Sequence, residues 1–265
     1  MKDIWLEFDI DEQPSQVPAP CIFLTLNQSL DQKTVSEPQE IVEIASRLLE
    51  HPVSSLLESN LRLSFDCLPA GAGISHLGAM LSRSDQAVRI NVRGILPEQL
   101  LDYLRQIGWT DPENKLQFLI PHLSEFVDYI TLSCDVGETV LPKIGFECFL
   151  LKQPKHEPRW QLFLDYLVEK ELCTSAKQNA LFAWPGFCQK ASRPNIWPNN
   201  LIWGDLLLGS RAFSIFTRTI NHIKIVYQPD GLLEAKAYLA FFHNWFDASP
   251  LTRGKLQKTE EIQMA

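Results

Sequence analysis

Residues 129–151 read YITLSCDVGETVLPKIGFECFLL and contain two short runs in which apolar and polar residues alternate. The runs cover residues 129–135 and 143–151, and Gly137 lies between them. Alternation with a period of two is typical of strands whose two faces meet different surroundings. The stretch therefore predicts an antiparallel hairpin, turned near Gly137.

The same unit, a pair of alternating runs followed by amphipathic helical stretches, occurs four times along the chain. The other pairs are 4–10 with 21–26, 76–81 with 87–93, and 222–227 with 233–242. Residues 184–200 interrupt the pattern and predict a long irregular loop. We therefore expect an α+β protein in which helices cover one face of an antiparallel sheet. Residues 1–247 are predicted to form a single domain and 248–265 a flexible polar tail.

The strand runs divide into two faces, because successive side chains point to opposite sides of a sheet. One face is apolar in every unit and suits packing under helices. Its residues are Leu6, Phe8, Ile10, Val88, Ile90, Val92, Ile130, Leu132, Cys134, Ile144, Phe146, Cys148, Leu150, Ala235, Ala237, Leu239 and Phe241. The other face is polar. Its residues are Glu7, Asp9, Arg89, Asn91, Arg93, Thr131, Ser133, Asp135, Lys143, Gly145, Glu147, His222, Lys224, Glu234, Lys236 and Tyr238.

Two architectures place such a polar face. It is wetted on one side of an open antiparallel sheet, or it lines the lumen of a closed barrel with helices outside. Four cations, Arg89, Arg93, Lys224 and Lys236, lie on this face although the chain has a net charge of −8. They are candidates for an anion site, since Arg and Lys bind phosphate groups. The alternative is that they pair across the strands with carboxylates, namely Glu7, Asp9, Glu147 and Glu234.

The repeated order of hairpin, helix and helix, together with Lys236-Ala237-Tyr238 on the last strand and Lys224 on its partner, resembles the ABBA prenyltransferases. The resemblance covers roughly residues 4–246 in topology. It implies a possible closed αββα barrel and transfer of an isoprenoid group from an allylic diphosphate to an aromatic or peptide acceptor. The family has five hairpins, whereas four are found here.

The resemblance also implies roles for individual residues. Lys224 and Lys236 would bind the diphosphate, with Arg89 and Arg93 completing the clamp. Tyr238 would shield the allylic cation, and Glu7 or Glu147 would take the acceptor's proton. His222, two positions from Lys224, is a further candidate for substrate binding. The cofactor is unknown; magnesium is compatible with a diphosphate substrate, but no protein metal site is predicted.

A different class of function remains open, namely a non-catalytic binding or maturation protein that docks a peptide or protein partner on its polar sheet face. The acidic balance and the lack of a basic block argue against nucleic acid as a partner. No apolar run approaches the roughly 20 residues of a membrane span. The acidic first residues and six scattered cysteines lead us to expect a soluble cytoplasmic protein.

Overall fold

A computed structural model describes residues 3–8, 20–26, 38–81, 87–110, 115–192, 196–208, 212–228 and 230–247. Its strands are β1 Ile4–Glu7, β2 Cys21–Thr25, β3 Gly73–Met80, β4 Val88–Arg93, β5 Tyr129–Val136, β6 Val140–Phe149, β7 Gly186–Gln189, β8 Ala212–Tyr227 and β9 Leu233–Asp247. Its helices are α1 Pro38–Leu49, α2 Ser55–Asp66, α3 Pro97–Gln106, α4 Leu116–Phe126, α5 Arg159–Glu169, α6 Ser175–Ala183 and α7 Asn199–Leu208. The predicted polar tail, 248–265, lies outside the described residues.

Hydrogen bonds join the described strands into a nine-stranded antiparallel sheet in the order β1-β2-β3-β4-β5-β6-β8-β7, with β9 on β8. The predicted α+β class is therefore confirmed. In the described ranges no pairing joins β1 to β7 or β9, so the sheet is open. The closed barrel, which the resemblance implied as a possibility, is not formed by these strand pairings.

The chain divides into two compact units. The first contains residues 1–148 and 224–234, and the second contains residues 149–223 and 235–265. Strands β8 and β9 each contribute residues to both units.

The core of the first unit lies between the apolar sheet face and the helices α1–α4. Val88, Ile90 and Val92 of β4 are fully buried, as the alternation predicts. Tyr103 of α3 is also buried, and its hydroxyl donates a hydrogen bond to the Ser64 carbonyl at 2.8 Å. Each of the helices α1–α4 buries an apolar stripe against the sheet or a neighbouring helix, which is the usual way that a two-layer domain encloses its core.

The structure differs from the sequence prediction mainly in the second unit. Strand β8 begins at Ala212, ten residues before the predicted run. Its first half was not predicted because Ser214, Thr217 and Arg218 interrupt the alternation of apolar and polar residues. The predicted loop at 184–200 contains β7 and the start of α7. The apolar face of β9 is not covered by helices along its middle, since Leu239 and Phe241 are 46% and 64% exposed.

Candidate functional site

The polar sheet face of the first unit is built from two neighbouring rows of paired residues. One row runs Trp5, Phe23, Gly78, Arg89 and Asp135 across β1–β5. Residues directly opposite each other in antiparallel strands share a face, so all five lie on the polar side. The next row begins at Thr25 and continues to His76, Asn91 and Ser133, after a register shift between Ile74 and His76 in β3.

Arg89 and Asp135 form a buried bidentate ion pair at the centre of this face. Arg89 Nε donates to Asp135 Oδ1 at 2.7 Å, and Nη2 donates to Oδ2 at 2.9 Å. The side chains are only 10% and 6% exposed. Two parallel N–H to oxygen bonds fix the guanidinium in the plane of the carboxylate.

Glu147 of β6 joins three other polar residues into a second buried group. The amide nitrogen of Asn91 donates to both carboxylate oxygens, at 3.0 and 3.1 Å. Lys224 Nζ lies 3.3 Å from Glu147 Oε1 and donates to Ser133 Oγ at 2.8 Å. We call the six residues Arg89, Asn91, Ser133, Asp135, Glu147 and Lys224 the polar network. Its side chains are buried, so the centre of the polar face is not wetted as an open sheet suggests.

Gly145 explains how the Lys224 side chain reaches Glu147. A Cβ at position 145 would overlap Lys224 Cε, so the lysine stem crosses the strand where the side chain is missing. Burial lowers the pKa of Lys224, and the negative charge of Glu147 opposes that shift. The ammonium group of Lys224 is thus buried and is held by the carboxylate of Glu147 and the hydroxyl of Ser133.

The first strand also influences Lys224. The carboxylate of Glu7 raises the pKa of Lys224, so the two groups lie within electrostatic range. Glu7 lies two residues after Trp5, on the polar side of β1, and is part of the electrostatic surroundings of the polar network.

Three further residues lie beside the network. The guanidinium of Arg93 is 4.7 Å from the ring centroid of Tyr129, in cation–π contact. Burial raises the pKa of Tyr129, and Arg93 opposes that shift. Burial lowers the pKa of His76, and the nearby Glu147 opposes it. Arg93 is exposed and forms no ion pair with a carboxylate in the described part of the chain.

An apolar patch occupies the same face on the side of β2 and β3. Cys21, Phe23 and Met80 form a buried cluster, and the ring of Phe23 lies over Gly78, where a Cβ would overlap it. Phe23 is paired with Gly78, and Gly78 is paired with Arg89, so Phe23 and Arg89 lie on the two sides of Gly78 in the same row. The polar face of the first unit therefore has an apolar part next to a charged part.

The remaining predicted site residues belong to the second unit. His222 is 7% exposed, and its ring stacks on Tyr238, with centroids 4.3 Å apart, and lies 4.6 Å from the ring of Phe149. Its Nδ1 is 2.7 Å from Asn221 Oδ1. Lys236 and Tyr238 are half-buried residues of β9.

Of the predicted site residues, the first unit brings together Arg89, Glu147 and Lys224, with Glu7 and Arg93 in their surroundings. The alternative of cross-strand pairing is confirmed for Lys224, which pairs with Glu147, whereas Arg89 pairs with Asp135, a carboxylate that the alternative did not name. Sequence reasoning did not single out His76, whose place beside Asn91 depends on the irregular register of β3. In the described residues no group of three or more His, Cys, Asp or Glu side chains is arranged to hold a metal ion.

Comparison with known proteins finds no matching family model, no matching curated protein and no matching solved structure. None of the helices in the described ranges is both long enough and apolar enough to cross a bilayer.

Proposed function

We propose that the chain is a transferase that moves an isoprenoid group from an allylic diphosphate to an aromatic or peptide acceptor. One observation carries the proposal: the polar sheet face of the first unit has two buried cations, Arg89 and Lys224, on the same side of the sheet as an apolar patch. An isoprenoid diphosphate has the same two parts, an anionic head and an apolar tail. Arg89, Lys224 and Arg93 would bind the head, while Phe23 and Met80 would contact the tail.

The charges of the network limit how the head can bind. Arg89 and Lys224 are balanced by Asp135 and Glu147, so a diphosphate has to compete with these carboxylates for the donors. Arg93 adds a positive charge that no described carboxylate neutralises. Fixed donors around a leaving group stabilise the charge that develops as the bond breaks.

The proposed reaction breaks the bond between the allylic carbon and the diphosphate oxygen, and the electron pair leaves with the diphosphate. An oxygen or carbon atom of the acceptor then forms the new bond to the allylic carbon. The acceptor's proton goes to a carboxylate. Glu147 or Glu7 would serve as this base. The ring of Tyr129, which is in cation–π contact with Arg93, would stabilise the positive charge of the allylic cation.

Titration calorimetry with dimethylallyl and geranyl diphosphate tests the proposal, with inorganic diphosphate and a prenyl alcohol as controls. We expect saturable binding that requires both the head and the tail. Arg93→Gln should weaken it by roughly tenfold or more, because a hydrogen bond to a charged group contributes about 1.5–3 kcal/mol. Arg105→Gln is the matched control, since Arg105 is 65% exposed on α3 and pairs only locally with Asp102.

The alternative proposal is a non-catalytic binding or maturation protein that docks a peptide or protein partner on the polar face. A docked partner has to reach accessible side chains, and the network at the centre of this face is buried. This observation favours a small substrate over a docked protein. Absence of binding by every prenyl ligand at millimolar concentration would reject the transferase and leave the alternative.

A further inference from the structure

Strand β9 has an edge that lacks the usual protection against pairing from Ala237 to Phe246, since its charged residues Glu234, Lys236 and Asp247 lie outside that stretch. In the described residues it hydrogen-bonds only with β8, so its other edge has no strand partner there. No charged residue occurs from Ala237 to Phe246. Natural edge strands normally carry a lysine, a proline or a bulge that prevents contact with another strand. A long uncharged edge is therefore suited to pairing with a further strand.

The exposed side chains of β9 are large and apolar. Leu239 and Phe241 are 46% and 64% exposed on one face, and Phe242 is 39% exposed on the other. The Phe241 ring is stacked on Phe216, with centroids 5.3 Å apart and planes 16° apart. An aromatic ring that is already held in place loses little side-chain entropy when a partner covers it.

We infer that β9 pairs with the β9 strand of a second copy of this chain, antiparallel and centred on Ala240. A two-fold axis perpendicular to the sheet keeps each side chain on its own face, so residues equally distant from Ala240 meet. Leu239 then lies opposite Phe241 of the second copy. This inference does not rest on the proposed function.

The sequence of β9 is self-complementary in this register. The aromatic side chains of His243 and Trp245 lie opposite the small side chains of Ala237 and Ala235. On the other face Lys236 lies opposite Asn244, so no like charges meet. Complementary size and the absence of repulsion point to a second copy as the occupant of this edge.

Helix α7 extends the apolar surface beyond the strand. Trp203, Leu206 and Leu207 are 63%, 67% and 85% exposed, which is unusual for adjacent large apolar side chains on a helix. Gly204 of α7 contacts the Trp245 indole, where a Cβ would overlap the ring, so this helix lies against the end of β9. Pairing at Ala240 brings Ala235 of the second copy next to Trp245 and close to α7. A helix and a strand together offer more area than a strand pair alone.

Sedimentation velocity of the full chain over a concentration series tests the inference. We expect a dimer for the unaltered chain and a monomer for Leu239→Lys and for Phe241→Glu, each of which places a charge in an apolar contact. Mixing the two variants should restore the dimer, because the new ammonium and the new carboxylate meet across the two-fold axis. Recovery on mixing also shows that both variants are folded.

Phe118→Lys is the matched control, since Phe118 is 74% exposed on α4 in the first unit. It should leave the dimer unchanged. The inference is wrong if the unaltered chain is monomeric at every concentration, which would leave the edge to a different partner. A dimer that survives both β9 substitutions, or variants that stay monomeric when mixed, would equally overturn the pairing.

Discussion

Gly145 lies where the Lys224 stem crosses β6, so its missing side chain is part of the site. We expect Gly145→Ala to push Lys224 away from Glu147 and Ser133 and to destabilise the protein by about 1–3 kcal/mol, as overpacking does. Denaturant unfolding measures this change. Gly137→Ala, in the turn of the same hairpin, is the control, because its Cβ would meet Ala87 Cβ at an ordinary 3.5 Å.

A double-mutant cycle separates this contact from a general intolerance of position 145. In the background of Lys224→Ala, Gly145→Ala should cost little, because the overlapping stem is gone. An equal loss of unfolding free energy in both backgrounds would show that Gly145 is required for a reason other than the passage of the Lys224 stem.

His76 predicts a dependence of stability on pH. Burial holds the pKa of His76 below its usual value, so the unfolded chain binds a proton that the folded chain does not. Above the usual histidine pKa of about 6.5, His76 is neutral in both the folded and the unfolded chain and does not change the free energy of unfolding. As the pH falls through that value toward the pKa of the folded chain, the unfolded chain gains a proton first, so the free energy of unfolding decreases. His76→Gln should therefore reduce the loss of unfolding free energy between about pH 7.5 and 5. A pH profile of His76→Gln that matches that of the unaltered chain would contradict this prediction.

Helix α6 begins directly after a capping residue, Thr174. Thr174 Oγ1 accepts a hydrogen bond from the Lys177 amide at 3.2 Å, as a capping residue does. Thr174→Ala should cost about 1 kcal/mol of local stability and speed amide exchange in the first turn of α6. Ser175→Ala, one residue later, should leave exchange nearly unchanged. Similar exchange in the two variants would show that the cap does not hold this helix end.

The hairpins of β3–β6 and their helices were predictable because each strand alternates and each helix has an apolar stripe. Strand β8 was found only in its second half, since its first half, with Ser214 and Arg218, has no clear period. Helix α7 was missed because Leu206 and Leu207 are exposed, whereas pattern reasoning assumes that such residues are buried. The prediction that helices cover the apolar face of β9 was wrong for the same reason, because it assumed that the apolar residues of this face are buried.

The composition of the site was predictable, but its pairing was not. Alternation placed Arg89, Glu147 and Lys224 on one face, yet their partners depend on strand register, which alternation alone does not give. The position of His76 beside Asn91 depends on the register shift in β3, which no residue pattern announces. No local signal in the sequence predicts that the polar face is buried.

At the scale of the whole molecule, the free energy needed to bury the charges of the polar network is large compared with the stability of an entire domain, which is only about 5–15 kcal/mol. Removing one partner of a buried ion pair costs about 3–5 kcal/mol, whereas replacing both by apolar residues is often neutral or stabilising. We therefore expect Arg89→Met alone to destabilise strongly and Arg89→Met with Asp135→Leu to recover stability. Thermal and denaturant unfolding of the single and double variants measures both effects.

The same double variant distinguishes a structural network from a binding site. If the pair is present for the fold alone, the stable double variant should bind geranyl diphosphate as the unaltered chain does. If Arg89 binds the diphosphate, the double variant should be folded and should lose this affinity, since its apolar side chains cannot donate to phosphate oxygens. Calorimetry on the recovered variant then measures the loss without interference from unfolding. Unchanged affinity would remove Arg89 from the proposed site, and the remaining donors, Lys224 and Arg93, would have to account for binding.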